Sequence, residues 1–124
     1  MGHPSILVVD DELLIRDLLY DFFSAQGWDI SVAENGGKAL EILRQRQVDL
    51  VLTDIKMPEM DGLTLASEVR DNHPDIPVVV MTGYPSVDTA VTALRTKVAD
   101  YIIKPFNINQ LFKILEAQLR DAKG

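Results

Sequence analysis

Ser5-Ile6-Leu7-Val8-Val9-Asp10-Asp11-Glu12 is a short apolar run, largely β-branched, that ends abruptly in three acids. An apolar stretch of this length with no polar alternation reads as a strand buried on both faces. Such strands belong to parallel sheets covered by helices on each side, so this stretch already points to an α/β fold.

The chain that follows keeps the pattern. Leu14, Leu18 and Phe22 are spaced by four with Ile15, Leu19 and Phe23 beside them, while Arg16, Asp17 and Asp21 fall opposite, which predicts an amphipathic helix closed by Gly27. Asp29 to Ala33 alternates as an edge strand does, and Asn35-Gly36-Gly37 leads into a helix carrying Ala39, Leu40 and Leu43 inward. Leu50 to Thr53 is a third strand, stopping at Asp54. Asp61 is placed to cap a helix from about Leu63 to Asn72.

Pro74 and Pro77 bound the next turn, Val78 to Met81 is a fourth strand, and Ser86 caps a helix in which Val87, Ala90, Val91 and Leu94 recur at the spacing of a core-facing stripe. Tyr101 to Ile103 is the fifth strand. The last helix opens with Asn107 and Gln110 at capping-box spacing and is expected to bury Ile108, Leu111, Ile114, Leu115 and Leu119. Residues 120–124 read as a fraying helix end or the start of a linker.

Five alternations of strand and helix need a right-handed crossover each time, so the expected architecture is a doubly wound, five-stranded parallel sheet with helices on both faces. The flavodoxin-like strand order 2-1-3-4-5 is the natural choice. A chain of 124 residues with 47% hydrophobic and 25% charged residues suits one ordinary core, and residues 1–124 are read as a single domain.

Composition also narrows function. The formal charge of -7 argues against direct nucleic-acid contact, which relies on clustered Lys and Arg. The chain has no cysteine, which removes disulfides, Cys-ligated zinc and thiol catalysis and fits a reducing compartment. No apolar run approaches the length of a membrane span, so no membrane partner and a cytoplasmic location are expected.

Ligands of such sheets bind outside the carboxyl ends of the strands. Here those ends carry Asp10 and Asp11, Asp54, Thr82 and Lys104: three carboxylates, a hydroxyl and an ammonium on one rim. Acids that close repel one another unless a cation shares the site, and a carboxylate set with vacant positions suits Mg²⁺ bound together with phosphate. With the charge neutralised, one carboxylate can attack phosphorus while Thr82 and Lys104 donate hydrogen bonds to the phosphoryl oxygens. No Walker loop or kinase signature is present, so ATP is not the expected donor.

Leu7-Val8-Val9-Asp10-Asp11-Glu12, Thr53-Asp54-Ile55-Lys56-Met57-Pro58-Glu59-Met60-Asp61-Gly62, Met81-Thr82-Gly83 and Asp100-Tyr101-Ile102-Ile103-Lys104-Pro105-Phe106 closely resemble the response-regulator receiver family of bacterial two-component systems. The match runs nearly end to end. The resemblance implies that Asp54 becomes the aspartyl phosphate, and that Asp11, Asp54 and the backbone carbonyl of Lys56 hold Mg²⁺, with Asp10 acting partly through water. It implies that Thr82 and Lys104 grip the phosphoryl group, that Tyr101 is the aromatic switch, and that the Lys104-Pro105 bond is cis, which the following proline permits. Lys56 and Tyr84 flank the expected path of attacking water and are the positions expected to tune phosphate lifetime.

Implied partners are a sensor histidine kinase or phosphotransfer domain as donor, and an output domain or second copy meeting the region Ser86 to Leu119. The domain is expected to promote its own phosphorylation and dephosphorylation rather than act as an enzyme. A metal-dependent phosphatase is the rival from another class, but Lys56 stands where such enzymes want a second aspartate. A flavin carrier would need phosphate-binding residues where Asp10 and Asp11 stand. A degenerate receiver used only for docking is disfavoured because every expected site residue is present. One departure from the family is Thr96-Lys97-Val98-Ala99, where many members carry Gly-Ala, which leaves the helix-to-strand turn open.

Overall fold

The computed structural model of the protein describes residues 3–123. Its elements run β1 (Ser5–Val9), α1 (Leu13–Ala25), β2 (Asp29–Ala33), α2 (Gly36–Gln45), β3 (Leu50–Asp54), α3 (Gly62–Asn72), β4 (Val78–Thr82), α4 (Val87–Thr96), β5 (Asp100–Ile103) and α5 (Ile108–Lys123). All strand pairs are parallel and the order is β2-β1-β3-β4-β5, as the alternation predicts. The chain reverses direction across the sheet at β1 and β3, the neighbours that carry Asp10 and Asp54.

Side chains alternate across the strands, so each strand feeds two cores. Leu7, Val9, Val51, Val78 and Val80 pack toward α2, α3 and α4 with Ala39, Leu43, Leu65, Ala66 and Ala93. Ile6, Val8, Leu50, Leu52, Val79 and Met81 face α1 and α5, meeting Leu19, Phe23, Leu111, Leu115 and Leu119. Trp28, Phe23 and Phe112 close that second layer, with ring centroids 4.9–5.1 Å apart for Trp28 against the other two.

Helix ends follow local chemistry. Asn35 and Asp61 accept the backbone N–H of Lys38 and Thr64 as N-caps, and Asn107 accepts from Gln110. Gly27 takes a left-handed φ of 85° after α1, where its amide reaches the Ser24 carbonyl and that of Trp28 reaches Phe23. The turn after α4 is closed by Lys97 at φ 63°, so a lysine adopts the conformation that glycine fills more cheaply. α5 continues through Lys123, so residues 120–123 extend the helix; Gly124 lies outside the described residues.

Two sequence expectations need correction. The α4 stripe read as core-facing points outward: Val87 and Leu94 are 79% and 78% exposed, and Ala93 is the helix's buried residue. On α1, Leu14 is 81% exposed and Leu18 is also exposed, while Leu19 and Phe23 carry the contact with the sheet. In both helices the apolar arc is wider than the strip the sheet can cover, and spacing alone does not say which edge of the arc packs.

Candidate functional site

β1 delivers Asp10 and Asp11, and its neighbour β3 ends in Asp54. One oxygen from each of these three carboxylates lies within 4.8 Å of the others. Asp10 and Asp54 are buried and Asp11 is exposed, so the cluster opens to solvent on the Asp11 side. Lys104, just past β5, reaches across the rim: its Nζ is 2.8 Å from Asp10 Oδ2, 3.6 Å from Asp54 Oδ2 and 3.7 Å from Glu12 Oε1. The Lys104-Pro105 peptide is cis.

The electrostatics follow from this crowding. Burial first, and then the neighbouring Asp10 carboxylate, push the Asp54 carboxyl up to about 6 against the pull of Lys104. Burial works against the charge on Lys104, yet its hydrogen bond to Asp10 and the surrounding carboxylates outweigh that cost and raise its pKa. One ammonium is thus shared by Asp10, Asp54 and Glu12, and Asp11 adds a further negative charge, leaving the cluster short of positive charge.

A hard divalent cation matches that deficit. Asp10 has both oxygens engaged, Oδ1 by the Glu12 amide at 2.9 Å and Oδ2 by Lys104, which leaves Asp11 and Asp54 to offer the more accessible oxygens. Oxygen-only donors with an open side suit an ion that keeps waters. The Asp10 carbonyl is itself fixed by Arg16 Nη1 at 2.7 Å, a contact not anticipated from the sequence.

Thr82 closes β4 beside Asp54, whose register partner on that strand is Met81. Its side chain is buried and its Oγ1 accepts the Tyr84 amide at 2.9 Å, which leaves the hydroxyl proton for another acceptor. Lys56 is exposed in the loop after β3, and its Nζ sits 4.8 Å above the Tyr84 ring, so these two residues touch one another beside the rim. Tyr101 is half-buried on β5 with its hydroxyl 2.8 Å from Thr89 Oγ1. A cleft of about 340 Å³ lined by Lys56, Met57, Thr82, Tyr84 and Thr89 lies beside these side chains.

The sequence profile described as response regulator receiver domain matches residues 6–116. The chain belongs to the response regulator receiver family. Among curated relatives, this receiver is 44% identical over 121 residues to the transcriptional regulatory protein ZraR of Escherichia coli O157:H7, an alignment covering 96% of this chain and 27% of that protein. It therefore spans about a quarter of the length of the curated relatives it matches.

Among solved structures, a CheY-like receiver domain protein from Methanospirillum hungatei is similar with a TM-score of 0.95, 28% identity and 98% of each chain covered. The response regulator TrrA from Thermotoga maritima, solved in complex with Mg²⁺ and BeF, is 34% identical with a TM-score of 0.83, covering 94% of this chain and 98% of that one.

Gly62 holds a place at the site for which the sequence, beyond its position in the motif after Asp61, gives no signal. A Cβ at Gly62 would lie 2.0 Å from the backbone oxygen of Asp54, and the Gly62 amide donates to the Ile55 carbonyl at 2.7 Å. The start of α3 is pressed against the end of β3 so closely that only hydrogen fits. Thr89 was likewise passed over. A threonine in a helix carries no spacing signal, and only its meeting with Tyr101 singles it out.

Proposed function

We propose that this receiver takes a phosphoryl group onto Asp54 from a phosphohistidine on a sensor histidine kinase or phosphotransfer domain. The observation that carries the reading is the gathering of Asp10, Asp11 and Asp54 within 4.8 Å with Lys104 Nζ 3.6 Å from Asp54 Oδ2. In the proposed step an Asp54 oxygen forms a bond to phosphorus while the donor's P–N bond breaks and its electron pair stays on the imidazole. Asp54 meets the phosphorus as a carboxylate, its charge stabilised by Lys104.

Mg²⁺ is the proposed cofactor, held by Asp11, Asp54 and the Lys56 backbone carbonyl with Asp10 acting partly through water; it would screen charge between nucleophile and phosphoryl oxygens. Lys104 then donates to one phosphoryl oxygen and the Thr82 hydroxyl proton to another. Two hydrogen bonds to the charged phosphoryl group contribute about 3–6 kcal/mol, against roughly 5.5 kcal/mol needed to move a two-state equilibrium from 1:99 to 99:1. A strong switch through Thr82 and Tyr101 follows, falling short of completeness at the lower figure.

The domain is read as a signalling module, 1–124, that turns over its own phosphate rather than an external substrate. Its output goes to another domain or a second copy through the face from Ser86 to Leu119, and its charge of -7 favours a protein partner there over nucleic acid. Acetyl phosphate with Mg²⁺ tests the reading directly: the native chain is expected to take one phosphoryl group and Asp54→Asn none. Single-site labelling of the asparagine variant would overturn it.

A further inference from the structure

α4 is lightly held. Ala93 is its fully buried residue, and its apolar residues Val87, Val91 and Leu94 face solvent. At its C-terminal end the Arg70 guanidinium is 3.4–3.5 Å from the carbonyls of Arg95 and Thr96, contacts at the long limit of hydrogen bonding. A helix with so little buried surface opens locally at low free energy, so its remaining tethers decide where it sits.

The other tether is at the N-terminal end. Ser86 Oγ accepts the Thr89 amide at 3.1 Å, and Thr89 Oγ1 accepts the Ser86 amide at 3.3 Å, a reciprocal capping box. Thr89 Oγ1 also lies 3.0 Å from Ser86 Oγ, 3.2 Å from the Ser86 carbonyl and 2.8 Å from the Tyr101 hydroxyl. A threonine hydroxyl has one proton and two lone pairs. Four groups, the Ser86 amide, carbonyl and hydroxyl and the Tyr101 phenol, converge on that hydroxyl, and the contact with Tyr101 is the shortest of the four. The cap of α4 and the ring of β5 therefore share one oxygen.

The same loop is fixed at its other end by Thr82, whose Oγ1 holds the Tyr84 amide. Hydroxyl contacts thus run from the rim of the acid cluster to the start of α4 and across to Tyr101. The shortest of them is the one between Thr89 and Tyr101.

We infer that Thr89 is a positioning residue that ties the Tyr101 ring to the N-terminal cap of α4, so that displacement of the ring loosens the helix. Its part in signalling rests on the reading of Asp54 as phosphoacceptor; the tether itself does not. Tyr101 packs against the core beneath α4, so a ring that moves takes its hydroxyl away from the cap.

Amide hydrogen exchange of Ala90 to Leu94 tests the tether in the unphosphorylated full chain. Loss of one hydrogen bond, about 1 kcal/mol net, corresponds to a rise of roughly five-fold in local opening, so Tyr101→Phe is expected to accelerate exchange about that much. In a Thr89→Val background, which keeps the branched shape but lacks the hydroxyl, Tyr101→Phe should add nothing, and Thr89→Ser should restore its effect. An equal acceleration in both backgrounds, or none in either, overturns the tether.

For the signalling part, Thr89→Val is expected to label with acetyl phosphate and Mg²⁺ at the native rate while its α4 exchange no longer responds to labelling. A full α4 response in that variant overturns this part. Failure of the native chain to label would instead remove the phosphoacceptor reading and leave the exchange result standing.

Discussion

Lys104 Nζ lies 2.8 Å from Asp10 Oδ2, and Asp10 is entirely removed from solvent. A buried carboxylate whose ammonium partner is deleted keeps its desolvation cost without the compensating charge. Lys104→Ala is accordingly expected to lose roughly 3 kcal/mol of stability without metal. Added Mg²⁺, proposed to sit on Asp11 and Asp54, should recover part of that loss by placing positive charge beside Asp10. The variant should still accept phosphate, since Asp54 remains, but its structural response should weaken. Urea unfolding with and without Mg²⁺ checks the first part, and exchange before and after labelling checks the second.

Asp54 carries the pH dependence. Its carboxyl stands at about 6 in the folded chain against 3.8 as a free side chain, so between those values the folded state binds more protons than the unfolded one. Stability contributed by this group is therefore present at low pH and falls as pH rises through about 6. Metal-free Asp54→Asn should escape that fall and exceed the native chain at pH 7.5 by on the order of 1 kcal/mol, with the gap closing toward pH 4.5. Paired urea titrations at the two pH values read the difference. A gap that widens at low pH contradicts the assignment, and saturating Mg²⁺ should abolish it.

Gly62 is fixed by contact rather than by φ. Any Cβ there meets the Asp54 carbonyl at 2.0 Å and the Ile55 Cα at 2.9 Å, both backbone atoms that cannot rotate away. Gly62→Ala must separate α3 from β3, and an overpacked backbone contact of this kind costs about 3 kcal/mol or more. Because the displaced strand end carries Asp54, labelling by acetyl phosphate should fall well beyond what the loss of stability explains. Measuring both on the same preparation separates the two effects.

How far the sequence was legible depends on the kind of signal. Buried parallel strands write themselves as unbroken apolar runs, so β1, β3 and β4 and their order were readable from Ile6 to Val9, Leu50 to Leu52 and Val78 to Met81. The rim residues were readable because a charge directly after such a run has one place to go. Val87, Val91 and Leu94 misled, because a helical stripe records that a face is apolar and not that this chain covers it. The pairing of Thr89 with Tyr101 depends on side-chain rotamers twelve residues apart and leaves no trace in spacing. Gly62 looked like any turn glycine, since the nearby Asp54 carbonyl belongs to another element.

Lys97 shows a cost that the sequence signalled as an irregularity. It closes α4 at φ 63°, and its amide and that of Val98 reach the carbonyls of Leu94 and Ala93 at 3.1 and 3.2 Å. The backbone motif is that of a glycine-terminated helix with a side chain added. A non-glycine residue in the left-handed region costs about 1–2 kcal/mol, part of which glycine gives back through its freer unfolded chain, about 0.5–1 kcal/mol. Lys97→Gly should therefore stabilise the protein by roughly 0.5–1 kcal/mol, read as a higher Tm with no change in labelling rate.

Lys56 and Tyr84 complete the rim from the side of the β3–α3 loop. The Lys56 ammonium sits 4.8 Å from the centroid of the Tyr84 ring, which is itself 70% exposed, so the pair spans open solvent beside Asp54 instead of packing into the core. A cation–π contact at an exposed position contributes about 0.5–1 kcal/mol, enough to hold the pair together for much of the time and too little to seal it. Under the proposed phosphorylation of Asp54, such a cover is expected to slow the approach of water without preventing it. Tyr84→Ala and Lys56→Ala are each expected to shorten the phosphate lifetime about two- to five-fold, the kinetic equivalent of that contact. The double variant should do little more than either alone, since each single change already opens the cover. Decay of labelled protein after removal of acetyl phosphate gives all four lifetimes. Multiplicative effects would mean that the two side chains act on water separately, and a lengthened lifetime in either single variant would mean that the side chain assists hydrolysis.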